Sequence, residues 1–370
     1  MKKYLFIFSF IYIIIFSGNT LALPRFSARL GDKCIDCHVN PTGGNMRKEN
    51  GFFFGKNVLS MISAKDKDFP VSNKLSENIS FGLDYRSQLL YSQEKNRADF
   101  HDMSGSAYLN VSLSNKIDVM SRYDFVQSIW EAYAVARILP NDSYIKFGTF
   151  TPSFGIRIDD HTSYTRGGDF GLLFSINKIQ GLIYNPFYTE TGIELGTYIN
   201  DFIFITASAG KSKLNSLLSS DPSFTSRIEL NQSIEDFNIL FGSSFASVKT
   251  NFTGTTLNTF LYGGFLGVGN KYISILSELD FAENYLSKNS KSSALFIETS
   301  YQLMIGLDVI IRYDSFNPDI TLKNDEISHL IFGFEFFPFS FIEIRPQYRF
   351  NIENPDKSNN AFVLQFHLWY

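Results

Sequence analysis

Cysteine is almost missing from this sequence: the 370 residues hold 2, at positions 34 and 37. A scaffold stapled by disulfides is therefore excluded. A surplus of positive charge is missing too. Lys+Arg total 33 and Asp+Glu 37, for a formal net charge of -4, which is not the basic, clustered footprint of a nucleic-acid-binding protein. Past the first residues no run is apolar enough for a transmembrane helix, and a mean hydropathy of -0.05 is not that of a helical membrane protein. Aromatic side chains are what the chain has in quantity. The 39 Phe and 19 Tyr raise the aromatic share to 16%, heavy for a soluble enzyme. Aromatic richness, near-zero hydropathy and an export signal together point to an outer-membrane β-barrel.

The export signal is at the start. Lys2 and Lys3 give a positive beginning, Tyr4 to Phe16 an apolar stretch, and Thr20-Leu21-Ala22 a small residue for cleavage ahead of Pro24. The stretch is shorter than the ~20 residues that span a bilayer, so residues 1–22 are expected to be a secretory signal peptide and not an anchor. No cysteine stands at the cleavage point, which argues against a lipoprotein.

Behind it the chain divides in two. Residues 23–75 are basic, hold both cysteines and show no period-two alternation. Residues 77–370 alternate apolar and polar side chains in segments of about ten residues separated by turn signals, as strands do that face lipid on one side and a lumen on the other. About 18 segments are legible, from one near Ile79 to one near Phe362, with consecutive ones near Gly171, Ile179 and Thr189. Short links (Ser114-Asn115-Lys116, Asn200-Asp201, Gly269-Asn270-Lys271) alternate with long ones (Gln93–Gly105, Pro152–Asp169, Asn317–Glu326). Outer-membrane barrels show that parity, with the short links periplasmic. Two links of the long class are short, which admits a count of 16. The predicted fold is an all-β, antiparallel transmembrane barrel of about 16–18 strands preceded by a small N-terminal domain.

The last segment carries the sharpest barrel signal. Phe362, Leu364, Phe366, Leu368 and Tyr370 alternate with residues that include Gln365 and His367. One face suits lipid and the other a lumen. As a bare edge in water such a strand would aggregate, and closure into a barrel removes the edge. The segment resembles the C-terminal sorting signal that the barrel-assembly machinery reads in bacterial outer-membrane proteins.

The chemistry sits in Cys34-Ile35-Asp36-Cys37-His38, a C-x-x-C-H sequence. Two thiols at this spacing add to the vinyl groups of one haem c, and the adjacent histidine becomes the proximal ligand of its iron. The other reading is a redox pair, which needs a βαβ context that is absent here. Arg25, Arg29, Lys33, Arg47 and Lys48 surround the motif and could pair with the haem propionates; each is equally readable as solvated surface. Pro41-Thr42-Gly43-Gly44 is expected to turn the chain tightly past the porphyrin, with a backbone carbonyl there orienting His38. The distal ligand stays open between Met46, His161 and His367, with Met61 weighed beside them, and a water-bound site is a further option. Only about 40 residues follow His38 before Ile79, too few to bury a haem alone. The barrel wall is therefore expected to complete the pocket, with residues 23–75 lodged in the lumen or its periplasmic mouth.

A second constellation runs from Phe147 to Gly168 and contains Arg157, Asp159, Asp160, His161 and Arg166. Two carboxylates beside an imidazole could bind a divalent metal such as Fe²⁺. The alternative is a lumenal salt-bridge network with Arg157 and Arg166 that holds an inward-folded loop.

With these features together the chain resembles the fused cytochrome–porin proteins of the outer membrane, best known from iron-oxidising bacteria. The residues that carry the resemblance are Pro24 to Arg29 leading into Cys34, Cys37 and His38, then a barrel to Tyr370. Asn40 to Gly44 and Gly51 to Gly55 resemble a broader group of cytochrome–porins more than the iron-oxidising subset. The resemblance implies electron transfer across the outer membrane through one haem c. It also implies exchange with periplasmic cytochromes or other carriers, contact with outer-membrane lipid and the assembly machinery, and an iron oxidoreductase role toward extracellular iron. The reading from another class is a solute porin whose haem segment is a plug or tether. No nucleic-acid partner is expected.

Overall fold

The computed structural model describes residues 25–30, 33–64, 71–158, 160, 162–168, 180–200, 202–212, 222–251 and 254–370. The expected signal peptide lies outside them. The strands are β1 Ile79–Ser92, β2 Arg97–Ser114, β3 Ile117–Asp124, β4 Ile129–Ala136, β5 Tyr144–Phe150, β6 Glu190–Ile199, β7 Ile203–Ser212, β8 Ser223–Ile234, β9 Phe237–Thr250, β10 Leu257–Gly269, β11 Ile273–Glu283, β12 Lys291–Met304, β13 Leu307–Asn317, β14 Ile327–Phe336, β15 Ile342–Glu353 and β16 Ala361–Trp369. Each pairs antiparallel with its neighbours in chain order, and β1 pairs with β16 to close the ring.

Alternation decides which side chain goes where. On β13, Asp308, Ile310, Arg312, Asp314 and Phe316 are buried inside, while Ile311 is exposed outside. On β16, Phe362, Phe366 and Leu368 are exposed, and Val363, Gln365, His367 and Trp369 are buried, as the sequence pattern predicts. The outer wall is thus a belt of large apolar residues, among them Phe147, Leu195, Phe241, Ile311 and Phe350. In water so large an apolar surface would drive association, whereas against lipid it is the stable arrangement.

The strand number settles at 16, the lower end of the expected range. Strands β5 and β6 pair directly, Tyr144 with Gly196 and Phe150 with Glu190, with no other strand paired between them. The segment expected near Gly171 lies outside the described residues, and the one expected near Ile179, described from residue 180 onward, forms no strand. The physical reason is that an apolar run reads alike whether it pairs in the wall or packs within the lumen. Leu182, Ile183, Tyr184 and Tyr188 take the second course, in a buried cluster with Phe154, Tyr164, Tyr285 and Phe316. A long link expected at Gln93–Gly105 is also shorter than the sequence suggests, because β1 and β2 stay paired out to Ser92 and Arg97.

The N-terminal segment goes inside the barrel. Helix α1 spans Arg25–Leu30, α2 Cys34–Cys37 and α3 Glu49–Asn57. Arg25 and Arg29 are four apart and share one face of α1. Arg25 pairs with Glu335 of β14, and Arg29 with Asp308 of β13 at 2.7 Å and Ser300 of β12 at 2.8 Å. Ala28 is fully buried, and its carbonyl accepts from Asn238 Nδ2 at 2.8 Å. A Cβ on Gly269 would lie 2.7 Å from that same carbonyl oxygen, so the wall there admits only glycine. These wall residues all lie near the short turns, which are the periplasmic end in barrels of this kind. The chain leaves past Ile62, bridged to Phe339, and Ala64, whose N–H donates to Ser340 Oγ at 2.8 Å.

Candidate functional site

From Cys34 to His38 the backbone makes one helical turn and then extends. The His38 N–H closes the turn on the Cys34 carbonyl at 2.9 Å. Residues three apart on a helical turn share a side, so the two sulfurs face the same way. His38 next bridges to Arg47, and the Val39 N–H donates to the Met46 carbonyl at 3.0 Å. The turn between these strands is tied by Asn40 Nδ2, which donates to the Gly43 carbonyl at 2.8 Å. Gly43 and Gly44 have φ of 85° and 70°, where side chains are strained. The barrel holds this turn from outside: Lys146 of β5 donates to Asn40 Oδ1 at 3.2 Å, and Arg137 to the Val39 carbonyl at 2.7 Å.

Cys34, Cys37 and His38 line one lumenal cavity of about 280 Å³. Its other walls come from α1 and α3 (Phe26, Phe54), from the barrel (Leu276, Phe296, His367, Trp369) and from the β5–β6 loop (Arg157, Ile158). Its lining carries groups of the kind that pair with propionates, five arginines, beside three carboxylates. Glu335 and Asp84 lie against three of those arginines, Arg25, Arg345 and Arg86. Gly51 and Gly55 let α3 pack close: a Cβ on Gly51 would stand 2.4 Å from the Cys37 carbonyl oxygen, and one on Gly55 2.9 Å from Trp369 Nε1. Burial pushes the Cys34 thiol up to about 12. A redox nucleophile needs a low thiol pKa, so Cys34 is unsuited to that role.

The flanking cations divide. Arg25 and Arg47 line the cavity. Arg29 is taken up by Asp308, Lys48 Nζ donates to the Ile35 carbonyl at 2.7 Å, and Lys33 lies 4.7 Å over the Tyr198 ring. These contacts give all three a part in docking and folding the segment. Burial, followed by repulsion from Arg137, lowers Lys48 to about 8.

The distal candidates are also separated. Met46 is not brought to the cavity; it is 2% exposed and packed with Val39, Met120, Tyr133 and Phe150, because the hairpin turns its side chain toward the wall. Met61 is exposed. His161 lies outside the described residues. His367 does line the cavity, with Nδ1 2.8 Å from Glu343 Oε2 and Nε2 2.9 Å from Asp84 Oδ2. Both its ring nitrogens are engaged, and ligating iron would require it to give up one carboxylate.

In the inward loop, Asp160 pairs with Arg312 of β13 at 2.8 Å, and Arg166 with Glu278 of β11 at 2.7 Å. The salt-bridge reading of this loop therefore describes Asp160, paired with a wall arginine, and Arg166, paired with a wall glutamate. Asp159 lies outside the described residues. Among the described residues no group of three His, Cys, Asp or Glu side chains is placed to hold a metal ion. Sequence reasoning missed the wall carboxylates Glu298, Asp308 and Glu335. Their inward parity on otherwise alternating strands was the available signal.

No protein-family profile matches this chain, and no curated protein sequence does. Solved structures do match. Pseudomonas putida OprB superposes with a TM-score of 0.59 at 10% identity, covering 85% of this chain and 99% of OprB. Vibrio cholerae OmpT lacking loop L8 gives 0.55 at 12% identity, over 79% and 99%. The outer membrane channel DcaP of Acinetobacter baumannii gives 0.54 at 11% identity, over 81% and 100%. The fold is porin-like. Together with the apolar belt it puts the chain in the bacterial outer membrane, the location expected from the sequence.

Proposed function

We propose that this chain is an outer-membrane cytochrome–porin that passes single electrons across the outer membrane through one covalent haem c. The observation that carries the reading is the convergence of Cys34, Cys37 and His38 on one arginine-lined cavity walled by the barrel. Cys34 and Cys37 would hold the group by thioether bonds and His38 would ligate its iron. Bound there, haem supplies a one-electron ferric/ferrous couple. The chain's own residues do the rest: Phe26, Phe54, Phe296 and Trp369 exclude water, and the arginines offset negative charge. The donor and acceptor on the two sides would be periplasmic cytochromes and an extracellular metal such as iron, which would make the chain an iron oxidoreductase.

The test is haem staining on denaturing gels of protein from outer-membrane fractions, followed by redox titration with soluble Fe²⁺ and Fe³⁺. Cys34→Ala with Cys37→Ala should abolish the stain while heat-modifiable mobility persists. Stain that survives both substitutions would sink the reading. The second reading, a solute porin with a haem-bearing plug, is supported by the porin-like fold. Solute flux in liposomes, with no electron exchange across the membrane, would favour it.

A further inference from the structure

We infer that Arg47 is a cofactor-binding residue whose guanidinium, held beside His38 and over Trp369, pairs with a propionate of the bound haem. The inference rests on the haem reading above and deepens it by naming a contact of the same site.

The backbone fixes where Arg47 stands. His38 and Arg47 form an antiparallel bridge. On one side of it the Val39 N–H donates to the Met46 carbonyl at 3.0 Å, and on the other the Lys48 N–H donates to the Cys37 carbonyl at 2.8 Å. Residues opposite each other in such a pair have Cβ atoms about 4.5–5.5 Å apart on one face. The imidazole and the guanidinium therefore leave the hairpin side by side, and both line the cavity with Cys34 and Cys37. Asn73, itself buried, steadies the position from behind: its Nδ2 donates to the Arg47 carbonyl at 3.2 Å.

The side chain is steered as well. Arg47 Cζ lies 5.8 Å from the centre of the Trp369 ring, within the ~6 Å of a cation–π contact. The Trp369 ring is held in turn, with its centre 6.0 Å from that of Phe337 and 5.0 Å from that of His367. Stacking uses the face of the guanidinium and leaves the N–H groups on its edge to a ligand. Arginine presents those groups as a planar fork that matches a carboxylate.

The protein carboxylates nearby serve other cations. Arg25 is paired with Glu335 and lies 3.8 Å from Glu298, and Arg345 is paired with Glu335 at 2.6 Å and Glu343 at 3.4 Å. Asp84 feels the charge of Arg47, but His367 Nε2 holds it at 2.9 Å and Arg86 faces it at 3.7 Å. Among the described residues no carboxylate stands within ion-pair distance of Arg47. A half-buried cation is stabilised by a partner of opposite charge, and beside the proximal histidine a propionate is that partner. Neutralised by Arg47, a propionate acts less on the iron; left bare, its negative charge favours the ferric form.

The experiment uses the full chain purified from outer membranes, comparing wild type with Arg47→Gln, Arg47→Met, Arg47→Lys and Arg157→Gln. All should stain for haem equally, because attachment runs through the thiols. Either neutral variant of Arg47 should shift the ferric/ferrous ratio about tenfold toward ferric at a fixed potential, a fall of about 59 mV for one electron. Both should also move the propionate bands of the resonance Raman spectrum, and Arg47→Lys should keep the wild-type potential. Haem-loaded Arg47→Gln with the wild-type potential and propionate bands overturns the inference and leaves the haem reading standing. A fall in potential with unmoved propionate bands overturns the contact. Bands that move in Arg157→Gln and not in Arg47→Gln give the contact to the β5–β6 loop and overturn it here. Wild-type protein without haem stain overturns the haem reading and this inference together.

Discussion

Two pieces of chain enter the lumen, the N-terminal segment and the β5–β6 loop, and they are held there differently. The loop brings its own apolar core. Phe154 stacks on Tyr184 at 4.6 Å, Tyr184 meets Tyr188 at 4.9 Å, and the cluster continues into Tyr285 of the β11–β12 link and Phe316 of β13. Its ion pairs use both signs, Asp160 to Arg312 and Arg166 to Glu278. The N-terminal segment has little core of its own. Val39 and Met46 join a cluster made mostly of β3–β7 residues, and Ala28 joins another. It is docked by cations, Arg25 and Arg29, on wall carboxylates. A segment this small buries too little surface to fold alone, so the barrel serves as its missing core. The piece that carries the C-x-x-C-H motif is thus the one that depends on the wall.

That contrast can be broken in several ways, the largest first. Removing Leu368-Trp369-Tyr370 takes away Trp369, a cavity wall, and Tyr370, whose N–H donates to the Leu83 carbonyl at 2.8 Å across the β1–β16 seam. With the seam open the strand edges lose their partners in lipid, and outer-membrane yield should vanish on fractionation. Normal yield and heat-modifiable mobility would show that closure does not need this end.

Deleting residues 24–75 should leave the barrel intact and its lumen open at the periplasmic end. Conductance in planar bilayers should rise from nearly closed toward that of 16–18-stranded porins, which leave an aqueous channel. If conductance is the same before and after, the segment does not fill the lumen in the membrane.

Arg29→Ala strands Asp308 in a buried site, a loss of about 3–5 kcal/mol when one partner of a buried pair is removed. The segment should become sensitive to added protease while the barrel does not. The equivalent break in the loop, Asp160→Ala, should leave protease resistance largely in place, because the aromatic cluster persists. Equal sensitivity in both variants would erase the distinction drawn here.

The smallest effect concerns Lys48. Its folded pKa of about 8 is below the ordinary 10.5, so the undocked segment binds more protons over that interval. Docking should strengthen as pH rises from about 8 to about 10.5, and the penalty should be constant below that window. Lys48→Met should flatten the pH dependence of protease release, and an unchanged slope would assign the dependence to another group.

Legibility in the sequence followed the range of the interactions. The C-x-x-C-H motif is local, so Cys34, Cys37 and His38 could be read at once and found on one cavity. Strand alternation is also local, and it predicted the lipid and lumen faces of β16 correctly down to Gln365 and His367. Local pattern failed where burial was possible in two ways. The apolar run through Leu182, Ile183 and Tyr184 looked like wall and is loop core. The side chains gathered at the site come from far apart: Arg157 meets Gly44, Arg29 meets Asp308, and His367 sits between Asp84 and Glu343. Periodicity and spacing report only on neighbours in sequence, and so the sequence alone determined a barrel with a haem-type motif ahead of it. Which wall residues complete the cavity was decided by barrel closure, because strand register and the entry of two segments into one lumen set those distances.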